Sequence, residues 1–206
     1  MLNIRDSSRY LSVPSSTLTQ WARHSVIHSI IPEKRGWPTL PFIAVVEAFV
    51  LRQLREVGFS KKQIVEAAQG MREEFGDEYG LARPGIGHDQ GVEIFVQIGG
   101  ELYRARDRQQ AIRDTVRGFR ECIQWRGDDP QRLRLAQVGD VWLDPRFGWG
   151  QPTLAESQVP VQSVINLWYA GETLRTIAAE FDLDESQVDS LVRSWSRLNE
   201  RYATAA

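Results

Sequence analysis

Apolar positions recur at helical spacing from residue 40 to 57. Phe42, Val45, Val46, Phe49, Val50, Leu54 and Val57 share one face, Thr39 and Pro41 open the segment, and Gly58 closes it. Ser60 and Gln63 then form a capping box, S-x-x-Q, for a further helix to about 75. Upstream, Ile4, Tyr10 and Leu11 mark a short helix over 4–12, which Val13-Pro14 breaks. Leu18, Trp21 and Ala22 give the next helix its apolar face, with Ser15 or Ser16 as its cap. Two short helices across a tight break make a helix-turn-helix pattern. Val26, Ile27, Ile30 and Ile31, followed by the EKRGWP turn, are the right size for a hairpin wing.

The centre of the chain reads differently. Residues 76–91 hold five glycines and a proline and are expected to be a linker. Val92, Ile94, Val96 and Ile98 alternate ahead of Gly99-Gly100, which predicts a strand and a tight hairpin turn. A helix over 108–118 and short strands over 120–125 and 132–136 follow, joined by RGDDP. After VGDVWLDP the chain returns to helices: one through Val161, Val164, Ile165, Trp168 and Tyr169, then Thr173 to Glu180, then Glu185 to Arg197. The expected fold is mainly α with small β elements. It comprises a winged helix-turn-helix over 1–75, the linker, a β-rich connecting region over 92–140, and a three-helix module over 141–206.

Charge adds a direction to this plan. Residues 1–70 carry nine Lys/Arg against five Asp/Glu, whereas residues 141–206 carry five against nine. The first end suits an anion such as nucleic acid; the second does not. No apolar run is long enough to span a membrane and the N-terminus lacks a leader pattern, so a cytoplasmic protein is expected. Cys122 is the single cysteine, which excludes an internal disulfide and a thiolate zinc cluster. His24 and His28 are four apart, but Val26-Ile27 ends the helix and no acid or cysteine accompanies them. No metal and no cofactor are expected. GIGHDQG, at 85–91, lacks the glycine spacing of a dinucleotide fingerprint. No nucleophile–base set emerges, so the chain is read as a non-enzyme.

If the second helix enters a major groove, Ser15, Ser16, Thr17, Thr19 and Gln20 can bond phosphates or base edges. Arg23 can reach guanine or phosphate, and Lys34 and Arg35 in the wing can touch the backbone. A structural helix in a protein-binding module has the same apolar pattern, and both readings stay open. Asp182, Asp184, Glu185 and Asp189 would repel phosphates from the C-terminal helix-turn-helix, whose expected role is protein contact. Trp142, Phe147, Trp149, Trp168 and Tyr169 are expected mainly in its core, with one or two near GWGQP free to anchor a partner.

YLSVPSSTLTQWARH, KRGWP and LPFIAVVEAFVLRQLREVGFSKKQI together resemble the start of MerR-type winged-helix regulators. DPRFGWGQPTLAESQVPVQSVINLWYAGETLRTIAAEFDLDESQV resembles the domain of unknown function 433 family, with Ser157-Gln158 where that module often has a Gly-Thr-Arg-type turn. The pairing resembles the VapB-type antitoxins of the mycobacterial VapB–VapC pairs. The resemblance implies an antitoxin that binds a PIN-domain ribonuclease toxin and represses its own operon through operator DNA. Such regulators generally act as homodimers, with helices 40–57 and 60–75 the expected dimer contact. Arg193, Arg197 and Arg201 form a basic stripe that could enter the toxin's metal-holding carboxylate pocket. The plainer alternative pairs them with Asp189 and Glu200 on a solvated face. A stand-alone regulator, an effector-binding regulator using 92–136, and a pure interaction module remain alternatives.

Overall fold

The computed structural model describes residues 1–32, 34, 37–100 and 106–205, and the side chains of all these except 106–108, 149 and 201–205. Among the described residues it is mainly helical, with nine α-helices and one small antiparallel sheet. Helix α1 (Ile4–Leu11) is capped by Asn3, whose side chain accepts from the Asp6 N–H at 2.7 Å. It stops at Ser12, which adopts a left-handed φ of 51°. Helix α2 (Ser15–Arg23) begins directly after the Val13-Pro14 break. Its N-cap is Pro14, and no side chain caps it, so neither Ser15 nor Ser16 plays the capping part expected of it.

Helix α3 (Phe42–Glu56) runs through the middle of the molecule, with Ala44 through Leu51 all buried. The chain itself covers this helix, so α3 has no free apolar face for the expected dimer contact. Helix α4 (Lys61–Phe75) has the complete Ser60–Gln63 capping box. No strand ladder forms among the described residues between α2 and α3. The Ile30 N–H donates to the Thr39 carbonyl at 2.9 Å, and Leu2 and Leu40 form an isolated bridge. The described residues of the expected wing are thus joined by single contacts and form no hairpin ladder; Glu33, Arg35 and Gly36 lie outside the described residues.

Residues 76–91 are not an open tether. They hold two 3-10 turns, Gly80–Ala82 and Pro84–Gly87, with Leu81, Ala82 and Ile86 fully buried. A β-carbon on Gly80 would lie 2.3 Å from the Met71 carbonyl oxygen, and one on Gly91 2.4 Å from that of Ile86. These glycines permit close backbone contact rather than flexibility.

The expected strand at 92–98 is helix α5 (Asp89–Gly99). Val92, Phe95 and Gly99 form its buried stripe, at i, i+3 and i+7. Gly100, with φ 66°, stops the helix where a hairpin turn was expected. The Gln63 side chain donates to the carbonyls of Ile98 and Gly99, tying α5 to α4. Helix α6 (Arg106–Cys122) follows. Phe59, Phe95, Phe119 and Phe49 then meet edge-to-face in sequence, with centroids 6.2–6.4 Å apart, joining α3, α5 and α6 into one core.

The sheet contains β1 (Ile123–Arg126), β2 (Asp129–Arg134), β3 (Val141–Leu143) and β4 (Pro152–Leu154), in that order and antiparallel throughout. Helices α7 (Val161–Tyr169), α8 (Leu174–Phe181) and α9 (Glu185–Ala205) complete the chain. Helix α9 returns to the N-terminus. Its Trp195 lies under the Arg9 guanidinium at 4.8 Å, and its Asn199 accepts from Arg9 Nε at 2.6 Å. The two ends of the sequence thus share one packed body.

Candidate functional site

Helix α2 sorts its residues by angle. Leu18 is fully buried, which turns Ser16, Gln20 and Arg23 outward. These three are exposed and lie at i, i+4 and i+7, one straight stripe along the helix. The other expected contacts are less available. Ser15, Thr17 and Thr19 are half-buried, and the Thr19 hydroxyl donates to the Ser15 carbonyl at 2.7 Å. Lys34 is exposed in the following loop, with its ammonium 5.4 Å from the centre of the Trp37 ring. Arg35 lies outside the described residues.

A buried carboxylate holds the loop after α2 in place. Glu47 of α3 is fully buried, and its oxygens accept the His28 N–H at 2.8 Å and face His28 Nδ1 at 2.8–2.9 Å. Arg72 of α4 donates to the carbonyls of Ser25 and Val26 at 2.9 and 3.0 Å, with its guanidinium 3.9 Å from Glu47. The Tyr79 ring packs 4.4 Å from the His28 ring. His28 is thus engaged by Glu47 and Tyr79, while His24 stands exposed on α2. Sequence reasoning missed this lock. Its signal was Glu47 itself, a charge inside the apolar run FIAVVEAFVL.

The C-terminal module has its own fixed turn after β3. Asp144 is buried and accepts from the Arg146 N–H at 3.0 Å, Nε at 2.9 Å and Nη2 at 2.6 Å. Burial pushes the Asp144 carboxyl up, but the Arg146 hydrogen bonds and charge, with Arg132, hold it below its ordinary value. Trp142 is buried, with the Arg132 guanidinium 4.2 Å from its ring centre. Phe147, Trp168 and Tyr169 are exposed instead of forming the expected core, and the Trp149 side chain lies outside the described ones. Of the basic stripe on α9, Arg193 donates to Asp189 at 2.8 Å and Arg197 is exposed; the Arg201 side chain lies outside the described ones. Cys122 is half-buried, and burial pushes its thiol up, away from a reactive thiolate.

Residues 141–193 match the family described as Protein of unknown function (DUF433), spanning β3, β4, α7, α8 and the first part of α9. The chain is 28% identical over 218 aligned positions to the protein named "Putative antitoxin VapB45" of Mycobacterium tuberculosis strain H37Rv, covering 91% of this chain and 90% of that one. It superposes on the crystal structure of Rv2018 from Mycobacterium tuberculosis with a TM-score of 0.77 at 26% identity, covering 92% of this chain and 96% of that one. Through nearly its whole length, this chain resembles a VapB-type antitoxin, and its C-terminal quarter matches the DUF433 family.

Proposed function

We propose that the chain is the antitoxin of a toxin–antitoxin pair, a binding protein rather than an enzyme. It neutralises a PIN-domain ribonuclease of the VapC type by direct contact in the cytoplasm. As a homodimer it represses its own operon, with residues 1–75 acting as a MerR-like helix-turn-helix in which the loop between α2 and α3 stands in the wing's place. The observation that carries this reading is the similarity, over 91% of the chain, to the protein named "Putative antitoxin VapB45". Operator binding draws support from the exposed stripe Ser16, Gln20 and Arg23 on α2, with Lys34 beside it. Arg35 would extend that contact, and Ser15, Thr17 and Thr19 would shape it from their half-buried places.

The toxin contact is assigned to the C-terminal module, through Arg193, Arg197 and Arg201. A guanidinium released from Asp189 could enter a carboxylate pocket that otherwise holds metal. One observation favours a second reading, an interaction module without DNA binding: Ile30, Ile31 and Trp37 are exposed on the loop where a wing would meet the backbone. Co-expression with the neighbouring gene of the operon, followed by purification through a tag on one partner, tests the proposal. A stable complex that also retards operator DNA supports both activities. A stable complex with no DNA retention leaves the interaction module, and absence of any complex overturns the antitoxin.

A further inference from the structure

One cavity borders the proposed operator contact, sharing Thr17 and Gln20 with it, and lies apart from the proposed toxin contact. It opens between the α1–α2 turn, the inner flank of α2, the end of α3 and the start of α4, with a volume of about 510 Å³. That lies inside the range of roughly 300–1,000 Å³ typical of small-molecule sites. Its lining includes an apolar set, Val13 and Pro14 at the turn, Trp21 on α2, and Ile64 and Val65 on α4, among polar side chains. Val65 is 38% exposed, and it lines the same cavity as the Trp21 indole.

The polar groups at the rim are mainly donors. Lys61 makes no ion pair among the described residues, and the side chains of Gln20, Trp21 and His24 make no hydrogen bond there. Arg55 spends one N–H on the Phe59 carbonyl and keeps the others. The single carboxylate in the lining, Glu56, is held by Arg52 at 2.6 Å. A lining of apolar side chains with unspent donors and one neutralised acid complements an anion on an apolar body.

We propose that this cavity binds a small organic anion with a flat aromatic body. The body stacks between Trp21 and Val65, and the anionic head meets Lys61 and Arg55. Its ligand is read without DNA present, so the site can be tested separately from the operator contact that shares Gln20, and it lies outside the C-terminal module.

The test uses the full chain and 8-anilinonaphthalene-1-sulfonate, an aromatic sulfonate that fluoresces when it leaves water. N-phenyl-1-naphthylamine serves as its uncharged counterpart. Expected is one saturable site, weakened about tenfold by Lys61→Glu or Val65→Asp, with the neutral probe binding weaker than the sulfonate. Both substitutions are at solvent-accessible positions, and circular dichroism verifies that each variant is folded. Tyr169→Ser, at an exposed aromatic outside the cavity lining, leaves the affinity unchanged. Equal affinity for both probes overturns the anion site. So does loss of binding in Tyr169→Ser, or unchanged binding in the two cavity variants.

Discussion

Glu47 is the residue on which the loop after α2 depends. Its carboxylate is fully buried and satisfied by the His28 backbone and ring, with Arg72 nearby. Removing Glu47 takes the acceptor from the His28 N–H and ring, while Arg72, partly exposed, keeps its bonds to the Ser25 and Val26 carbonyls. Glu47→Ala is therefore expected to cost about 1–3 kcal/mol in urea unfolding. A cost near zero would mean that the loop is held by other contacts. At Asp144 the effect depends on pH. A carboxyl held below its unfolded value contributes stability above about pH 4, and that contribution is lost as the pH falls through the depressed native value. Asp144→Asn is expected to flatten this part of the acid unfolding limb. Asp77, where burial is outweighed by the Tyr79 N–H and the Arg83 guanidinium, retains its own share. An acid limb unchanged in slope would remove the Asp144–Arg146 pair from the account.

Among the elements, α5 decides between two readings of the same letters. V-E-I-F-V-Q-I satisfies both a period of two and the helical spacing of Val92, Phe95 and Gly99. Contacts far away in sequence settle it: Phe59 and Phe119 close on Phe95, and Gln63 binds the helix end. Phe95→Ala is expected to cost about 3–5 kcal/mol, since it empties the middle of the aromatic chain. In a strand sharing the Val92 face with Ile94 and Val96, Phe95 would point the other way, and the cost would be small. Local signals were enough elsewhere. The Ser60–Gln63 capping box, the Pro14 break and the periodicity of α3 and α7–α9 could be read because their causes lie within a few residues. Residues 76–91 misled because glycine can serve close packing as well as freedom, and composition does not separate the two. The stripe on α2 was legible as residue types. The apolar face through Leu18 already turned Ser16, Gln20 and Arg23 outward, but the half-burial of Thr17 and Thr19 depends on neighbours outside the helix. For operator binding, Arg23→Ala and Lys34→Ala should each lower the slope of log affinity against log salt by about 1, measured by fluorescence anisotropy. A slope that does not change would take α2 and its loop off the phosphates.

Across the whole molecule, the basic N-terminal unit and the acidic C-terminal module are not free of one another. Helix α9 packs Trp195 and Asn199 against Arg9 and Tyr10 of α1, and the Gln137 side chain donates to the Tyr10 carbonyl at 2.7 Å. Helix α9 braces α1, which packs on α2, so there is a physical route between the proposed toxin contact and the proposed operator contact. No described helix is long and apolar enough to cross a membrane. The measurement that tests the antitoxin most directly is a titration of the ribonuclease activity of the operon's neighbouring gene product with the purified chain. The account predicts stoichiometric loss of RNA cleavage, relieved when Arg193, Arg197 and Arg201 are all replaced by alanine. Cleavage that continues undiminished at excess chain would contradict it.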